Sequence, residues 1–346
     1  MRQYIYSVMA GHATGFAATA LKGALLPFAF VYGAVIALRA TLFGAGLFPV
    51  ERVRVPVISV GNLTLGGTGK TPFVIMLAGL LSERFARKTV VLIRGYGIDE
   101  QELLKARLKE SLVLVGRDRA KSARAALNAV PDATILLDDG FQHHRLHRDM
   151  DIVLVDTRNP FGNGCLVPCG ILREPITGIR RASVVVLTKT DKSLVDTDQL
   201  QQRLKNIQSD LVFAEAVHRP LFLYGVVSRQ TVEFDRVKDR KVLLVSSIGD
   251  PAYFEKTVED LGPRIQGHSA YPDHHNYLER DVEAIIKRRS ETGAEYIITT
   301  EKDAVKLERL IRGMPAQEEI IALRVELTIV KGLEHLLDRL HRLYSH

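Results

Sequence analysis

The feature that most constrains the fold is a glycine-rich loop between an apolar run and a helical pattern. The run "VPVISVGN" ends at Asn62, the loop "LTLGGTG" follows it, and the pattern "KTPFVIMLAGLLSERF" begins at Lys70. The run is rich in β-branched residues and predicts a strand, whereas apolar residues recur at helical spacing after the loop. Strand, loop and helix in this order are the structural context in which such a loop binds phosphate.

The loop has the residue types that a nucleotide triphosphate needs. Its three glycines let the backbone curl so that successive N–H groups point at phosphate oxygens, and the helix adds its positive N-terminal end. Lys70 can reach the β- and γ-phosphates, and the Thr71 hydroxyl is placed for Mg²⁺. One position departs from the GxxxxGK[ST] pattern, because Thr64 stands where the first glycine belongs. The predicted nucleotide-binding residues of the loop are Thr64, Leu65, Gly66, Gly67, Thr68, Gly69, Lys70 and Thr71.

A phosphate loop of this kind needs an acidic partner, usually at the end of a neighbouring strand. The segment "ATILLDDGFQHH" supplies one, since an apolar run ends in Asp138 and Asp139 before Gly140 begins a turn. The alternative is a solvated turn. With the phosphate loop present, the paired carboxylates are predicted to lie near the metal.

The rest of the chain alternates between apolar runs and helical stretches. Continuous apolar runs separated by helices are typical of a parallel sheet covered on both faces. The runs are "KTVVLI", "SLVLVG", "ATILLDD", "DIVLVD" and "ASVVVLTKTD". A second alternating block begins near Pro220 with "KVLLVSSIGDP" and includes the helical "AYFEKTVEDLG" and "LERDVEAIIKRRSETG" and the strand "EYIITTEKD". The last stretch, "KGLEHLLDRLHRLYSH", is an amphipathic helix of the kind that packs on a core.

We therefore predict an α/β protein: a P-loop NTPase-type parallel-sheet domain with a membrane-associated N-terminal helix and a smaller C-terminal α/β domain. The expected divisions are an N-terminal helical region (1–50), the P-loop domain (51–218), the smaller domain (219–325) and a C-terminal helix (326–346).

Charge and cysteine content indicate the kind of partner and the redox compartment of the chain. The chain carries a formal charge of +7 and a sequence pI near 9.3, which favours an anionic partner: nucleic acid, a membrane surface or a phosphorylated substrate. Cys165 and Cys169 are its only cysteines, so a disulfide framework is not expected and a reducing compartment fits better.

The basic character is concentrated at the N-terminus, where no Asp or Glu precedes Glu51. Between Lys22 and Arg39 lie sixteen uncharged, mostly apolar residues, "GALLPFAFVYGAVIAL". This is short of the roughly 20 residues that cross a bilayer comfortably, so an embedded or interfacial helix is expected. Its aromatic residues and flanking charges suit the headgroup boundary. A buried core helix and a transit peptide are the alternatives.

Five segments together resemble the tetraacyldisaccharide 4'-kinase family of lipid A biosynthesis. They are "GNLTLGGTGKTP", "DDGFQHH", "DTRNPFGNGCLVPCGILREP", "YPDHHNY" and "TTEKDAVKL". The resemblance runs from the basic N-terminus to about Leu307, and the family's loop also has threonine at the position of Thr64.

The resemblance implies a reaction and a location. The family transfers the γ-phosphate of ATP to the 4'-hydroxyl of a tetraacylated disaccharide 1-phosphate and so forms lipid IVA. ATP and Mg²⁺ are the expected cofactors. The expected partners are the acylated disaccharide 1-phosphate and the cytoplasmic face of the bacterial inner membrane, which the chain would meet as a peripheral or monotopic monomer without binding nucleic acid.

The resemblance also implies roles for individual residues. Asp138 and Asp139 match the family's acidic pair, with Asp138 near the nucleotide and both near the metal, and His143 lies beside them. Glu174 matches a carboxylate near the metal, although a surface pair with Arg173 is an alternative. Five arginines are candidates for holding anionic groups: Arg94, Arg117, Arg119, Arg145 and Arg148.

The catalytic base is harder to place. The family uses an aspartate after its RGY motif, paired with a histidine of the second domain. Here "RGYGIDEQELLKAR" offers Asp99 in a shortened segment, with Asp118 as the rival; a helix-start or surface carboxylate is the alternative for each. The histidine is expected at His274, with His275 as its alternative. A carboxylate that accepts the hydroxyl proton and a histidine that orients it would ease attack on phosphate.

The sequence also has features of other functional classes. The "TKTD" segment from Thr188 to Asp191 is similar to the guanine-reading [NT]KxD element, which favours a P-loop GTPase or metallochaperone-like switch. A basic peripheral protein that binds membrane or nucleic acid is a non-enzymatic alternative. The cluster of His143, His144 and His147 could indicate zinc, but carboxylate or cysteine ligands do not accompany it at ligand spacing.

Overall fold

The computed structural model describes residues 2–95, 98–314 and 319–345. It separates into two compact units. The first consists of Met1–Gly95, Leu108–Val217 and Leu327–His346, and the second of Tyr96–Arg107 and His218–Glu326.

The helices and strands follow each other largely in alternation. The helices are α1 (Arg2–Met9), α2 (Phe16–Gly44), α3 (Lys70–Phe85), α4 (Ile98–Arg107), α5 (Arg119–Ala129), α6 (Thr197–Lys205), α7 (Pro251–Glu259), α8 (Glu279–Thr292), α9 (Glu301–Ile311) and α10 (Leu333–Tyr344). The strands are β1 (Val57–Asn62), β2 (Thr89–Ile93), β3 (Leu112–Val115), β4 (Thr134–Asp138), β5 (Met150–Asp156), β6 (Val184–Thr188), β7 (Val212–Gly225), β8 (Thr231–Val232), β9 (Lys241–Ser246), β10 (Arg264–Ala270), β11 (Tyr296–Thr300) and β12 (Ile320–Lys331).

The first unit is built on a parallel sheet with the order β7-β6-β5-β1-β4-β2-β3. β1 is central: Ile58 lies opposite Leu136 of β4 on one side and Met150 of β5 on the other. Every residue of β1, β2, β4 and β6 is buried, as expected for strands covered on both faces. The predicted parallel α/β sheet is confirmed.

The position of β1 determines where the functional loops meet. β1 leads into α3, and its neighbour β4 runs parallel to it and ends at Asp138. Because parallel strands point their carboxyl ends at one edge of the sheet, the loops that follow β1 and β4 lie side by side there.

The N-terminal and C-terminal helices both belong to the first unit. α10 packs on it through the phenol of Tyr344, which lies 2.8 Å from Thr134 Oγ1, and through the buried Leu336 and Leu340. This agrees with the core-packing role predicted for the C-terminal helix. α2 is long and largely exposed, and Ala18 and Ala29 are its buried residues. It is also the described helix that is long and apolar enough to cross a membrane.

The second unit contains the order β10-β9-β11-β12-β7, with β8 paired antiparallel to β7. α4 packs on α9 through two ion pairs, Arg107 with Glu301 at 2.7 Å and Arg309 with Glu102 at 2.6 Å. Burial raises the pKa of Glu301, and Arg107 partly opposes that rise.

One sequence prediction in this unit needs correction. The segment "EYIITTEKD" was expected to be strand throughout, but the strand ends at Thr300 and α9 begins at Glu301. Thr300 caps the helix, since its Oγ1 accepts the backbone N–H of Asp303 at 3.1 Å. A threonine followed three residues later by an acid is a helix start, and the preceding β-branched run concealed it.

Candidate active site

The phosphate loop has the backbone shape that its glycines predict. Gly66 and Gly69 adopt φ values of +107° and +88°, which side chains with a Cβ rarely tolerate. Thr64 instead forms an extended bridge with Leu172, and the N–H of Leu65 donates to the carbonyl of Ile171 at 2.7 Å. The position where the usual pattern has glycine is therefore an extended one, which explains why threonine is accommodated.

The interior of the loop is prepared for a polar ligand. Thr68 is buried, and its Oγ1 has no hydrogen-bond partner within the described residues. Its carbonyl is held by the hydroxyl of Thr188 at 3.1 Å. A buried hydroxyl costs free energy unless it is satisfied, so this loop fits a bound phosphate.

Thr71 and Asp138 lie together as the motif predicts. The Thr71 hydroxyl donates to Asp138 Oδ2 at 3.0 Å, and Asp138 is 5% exposed. Arg119 holds the backbone beside this carboxylate: it is 2% exposed and donates to the backbone carbonyl of Asp138 at 3.2 Å and to that of Gly116 at 2.6 Å. Arg119, one of the five candidate arginines, thus holds backbone carbonyls in the interior.

Asp139 has a different set of partners from its neighbour. It takes a left-handed conformation with φ of 54°. Arg173 donates to both of its oxygens, at 2.6 and 3.1 Å, and Lys70 Nζ lies 3.8 Å from Oδ1. Burial alone would raise the pKa of Asp139, but Lys70 and then Arg173 lower it to about 2. Asp139 is therefore ionised at neutral pH.

Glu174 is buried, with 4% exposure, and both of its oxygens are engaged. Gln142 Nε2 donates to Oε1 at 2.7 Å and Arg181 donates to Oε2 at 2.7 Å. The alternative of a surface pair between Arg173 and Glu174 is therefore wrong: Arg173 pairs with Asp139 and Glu174 with Arg181. Sequence reasoning missed Gln142 and Arg181: Gln142 lies within "DDGFQHH", where the carboxylates and histidines carried the signal, and Arg181 lies outside every segment that gave one.

The two histidines after the acidic turn are in basic surroundings. Burial first, and then Arg119 and Arg148, lower the pKa of His143 to about 4. Burial first, and then Arg181 and Arg148, also lower the pKa of His144 to about 4. His143 Nε2 is buried and unsatisfied within the described residues. Both imidazoles are neutral at pH 7.

A face of α2 is attached to these loops. The Tyr32 hydroxyl donates to the carbonyl of Arg173 at 2.8 Å, and Arg39 donates to that of Gln142 at 3.4 Å. The ring of Phe43 stacks on His144 with centroids 5.3 Å apart. The apolar helix is thus bonded to the segments that contact Asp139 and Glu174.

The candidates for the base fall in different settings. Asp99 is the second residue of α4, and its side chain lies outside the described residues. Its neighbour Glu100 places Oε1 3.8 Å from His274 Nε2, within the second unit. Asp118 caps α5, since its Oδ1 accepts the N–H of Lys121 at 3.0 Å, so its helix-start alternative describes its observed contact.

The two candidate histidines also differ. His275 Nε2 lies 3.0 Å from Asp281 Oδ2, and its ring stacks on Tyr271 with centroids 4.7 Å apart. His274 adopts a left-handed φ of 59°, and 40% of its side chain is exposed. A left-handed conformation is uncommon at a non-glycine residue. Of the two, His274 is the more accessible imidazole.

The "TKTD" segment contacts the phosphate loop through Thr188, as described above. Lys189 is 3% exposed, takes φ of 60° and pairs with Asp156.

As for metal sites, the described residues contain no convergent group of three or more His, Cys, Asp or Glu. A magnesium ion needs fewer protein ligands than that, because it keeps several waters.

Comparison with known proteins covers nearly the whole chain. The family model described as LpxK, tetraacyldisaccharide-1-P 4'-kinase, matches residues 21–342. A tetraacyldisaccharide 4'-kinase of Anaeromyxobacter sp. (strain K) is 35% identical over 338 residues, which cover 91% of this chain and 89% of that protein. One from Syntrophus aciditrophicus is 35% identical over 340 residues, covering 89% and 90%.

A solved structure shows the same fold. The crystal structure of LpxK from Aquifex aeolicus in complex with ATP has 30% sequence identity and a TM-score of 0.73, and the match covers 94% of this chain and all of that one.

Proposed function

The chain belongs to the LpxK family of tetraacyldisaccharide-1-P 4'-kinases, and on that premise we propose which of its residues perform the phosphoryl transfer and where it occurs. The chain is an ATP-dependent kinase of lipid A biosynthesis that acts on a lipid A precursor. The observation that carries the assignment of roles is the loop from Thr64 to Thr71, whose hydroxyl-bearing end contacts the carboxylate at the end of β4.

In this proposal the loop holds the triphosphate. Backbone N–H groups of Gly66, Gly67 and Gly69 and the N-terminus of α3 face the phosphates, and Lys70 stabilises the charge that develops on the transferred group. Asp139 attracts Lys70 and is itself held by Arg173, so the three side chains form a network of fixed charges. Most of the rate acceleration then comes from positioning and preorganised charge.

Thr71 and Asp138 are the residues that would hold Mg²⁺. Their oxygens are 3.0 Å apart and Asp138 is buried, so a hard cation that retains its waters suits this donor set. The ion would neutralise charge on the phosphates. Asp139 and Glu174 are engaged by arginines, so we propose that their part in metal binding is to shape the field around the ion.

For the acceptor, we assign the base to Asp99 and its orientation to His274. Asp99, as part of α4, belongs to the same unit as His274, which supports the pairing. The cap that Asp118 makes, and the greater exposure of the His274 side chain than of the His275 side chain, support the choice against the rivals. Asp99 would accept the proton of the 4'-hydroxyl as that oxygen attacks the γ-phosphate.

For the location, we propose that α2 lies in the cytoplasmic face of the inner membrane. Phe28, Phe30 and Val31 are 64%, 78% and 61% exposed, so an apolar surface is available to lipid. Tyr32, Arg39 and Phe43 attach the same helix to the kinase unit. A helix held along its length in this way suits a monotopic arrangement, and a monomer suffices for it.

The GTPase alternative is not favoured, because the family match and the relatives are kinases. The contact between Thr188 and the phosphate loop gives the "TKTD" segment a structural role in the same nucleotide site.

The assignment of the base is tested by two isosteric changes. Asp99→Asn removes the proton acceptor and is expected to lower turnover by about two to four orders of magnitude. Asp118→Asn is the matched control, because asparagine also caps helices and the carboxylate alone is lost. Turnover of the lipid substrate is measured for both. Loss of turnover confined to Asp118→Asn would move the base to that residue.

A further inference from the structure

A buried charged cluster lies beneath the histidine segment in the second unit. At its centre is Asp303, which has no exposed surface. It accepts the backbone N–H of Ser247 at 2.8 Å, the Ser247 hydroxyl and the Thr300 hydroxyl at 2.8 Å. Lys306 Nζ lies 3.1 Å from its Oδ1. The carboxylate is thus satisfied on all sides by the end of β9, the end of β11 and the first turn of α9.

Lys306 links this cluster to the chain that carries the histidines. Its Nζ donates to the Ser247 hydroxyl at 2.6 Å and to the carbonyl of His275 at 3.0 Å. It also lies over the ring of Tyr277, 5.3 Å from the centroid. One ammonium group therefore joins the carboxylate of Asp303 to the backbone just after His274.

The residue before this contact is tied to the same cluster. The N–H of His274 donates to the carbonyl of Ser247 at 3.3 Å. Ser247 is fully buried and held by Asp303, so the cluster grips the backbone on both sides of the His274 side chain. Between these two attachments, His274 adopts its left-handed φ of 59°.

Stability alone does not explain an ion pair at this place. Taking two charges out of water costs several kcal/mol per ion, and a well-packed apolar pair is often as stable, so such pairs are weak evidence of a stabilising role. The pair instead fixes geometry, because its hydrogen bonds hold the backbone N–H of Ser247 and the carbonyl of His275 at defined distances.

We propose that Asp303 and Lys306 are positioning residues for the phosphoryl transfer, which fix the histidine segment so that the His274 imidazole is held in one orientation. This inference rests on the role of His274 in the proposed function. It gives Asp303 and Lys306 of the "TTEKDAVKL" segment a positioning role in the reaction.

The test is a double-mutant cycle on turnover. Lys306→Met keeps an unbranched apolar side chain and removes the ammonium group, with its ion pair to Asp303 and its hydrogen bonds to Ser247 and His275. We expect kcat to fall by about 10 to 100-fold, since a misplacement of about 1 Å in a catalytic group costs about that much. The KM for ATP should be unchanged. Lys287→Met, in a side chain with 78% exposure on α8, is the matched control and should match the wild type.

The decisive comparison is made in the His274→Ala background. If Lys306 acts through His274, Lys306→Met causes no further loss there. If the two losses multiply, the positioning role is wrong even though His274 matters. If His274→Ala alone keeps wild-type turnover, the role of His274 in the proposed function fails, and the positioning role fails with it.

A milder variant guards against misfolding. Ser247→Ala removes the hydroxyl that joins Lys306 to the cluster and leaves the backbone N–H of Ser247 on Asp303. It should lower kcat less than Lys306→Met does, with an unchanged KM for ATP, and its effect should also vanish in the His274→Ala background. A multiplicative loss with a raised KM would overturn the inference.

Discussion

Asp138 and Asp139 show how two adjacent carboxylates acquire different environments. Asp138 is buried against Thr71 and a buried arginine, whereas Asp139 turns into the left-handed region and meets Lys70 and Arg173. The reversal of direction between consecutive residues at a strand end separates the side chains. One faces the hydroxyl proposed for the metal, and the other fixes the positive charges beside the phosphates.

The same turn predicts how stability depends on pH. His143 and His144 have folded-state pKa values of about 4, below the ordinary value of 6.5, so unfolded chains bind more protons between those limits. Stability from the neutral imidazoles is present above pH 6.5 and is lost as the pH falls towards 4. The ionised Asp139 carboxylate also contributes stability, which is lost only as the pH falls below its ordinary pKa of 3.8 towards 2.

We therefore expect the urea midpoint of unfolding to fall between pH 7 and pH 5. The double variant His143→Gln, His144→Gln removes both titrating groups, so its midpoint should depend less on pH over this range. Arg119, Arg148 and Arg181 are kept, because they contribute to the lowered pKa values. An equally steep pH dependence in the double variant would contradict the assignment.

At this scale, the residues that could be predicted are those marked by a local pattern. Lys70 and Thr71 follow from the loop motif, and the contact between Thr71 and Asp138 follows from parallel strand ends. Arg173 could not be paired with Asp139 from spacing, because 34 residues separate them and the contact depends on the path of an irregular loop. Gln142 was missed for the same reason, since 32 residues separate it from Glu174, whereas Arg181 is seven residues from Glu174 and ends a short turn that carries no motif.

Among the elements, α2 has two roles, and its sequence predicts one of them better than the other. Its apolar composition predicts a membrane helix, and much of its surface is exposed. The polar side chains of Tyr32 and Arg39 instead attach it to the site loops. Helical periodicity does not reveal such contacts, because the partners are backbone carbonyls in a distant part of the chain.

Replacing exposed aromatic residues on α2 should release the protein from membranes without disturbing the site. The variant Phe28→Ser, Phe30→Ser removes two side chains that each contribute roughly 2 kcal/mol when buried in an apolar phase. Sedimentation with vesicles that contain anionic lipid should fall more than tenfold.

The matched control is Leu221→Ser, Leu278→Ser, which lowers exposed apolar surface in the second unit, where these residues are 41% and 48% exposed. Its sedimentation should match the wild type. If both variants lose vesicle binding to the same degree, α2 is not the specific membrane contact.

In the whole molecule, neither compact unit is one continuous segment of the chain. Residues 96–107 belong to the second unit although the sequence on both sides of them belongs to the first, and α10 returns to the first unit. The sequence predicted the alternation of strands and helices and the sheet type, since both arise from local patterns. It did not predict that α4 packs on α9, because that packing depends on ion pairs such as Arg107 with Glu301 across 194 residues.

The central claim is that the loop from Thr64 to Thr71 delivers the γ-phosphate of ATP to the lipid acceptor. The most direct test incubates the purified protein with γ-labelled ATP, Mg²⁺ and tetraacyldisaccharide 1-phosphate in detergent and locates the label. The wild type should label the lipid at its 4'-hydroxyl, and Lys70→Ala should reduce that rate by about two to three orders of magnitude. Equal labelling by Lys70→Ala, or none by the folded wild type, would contradict the account.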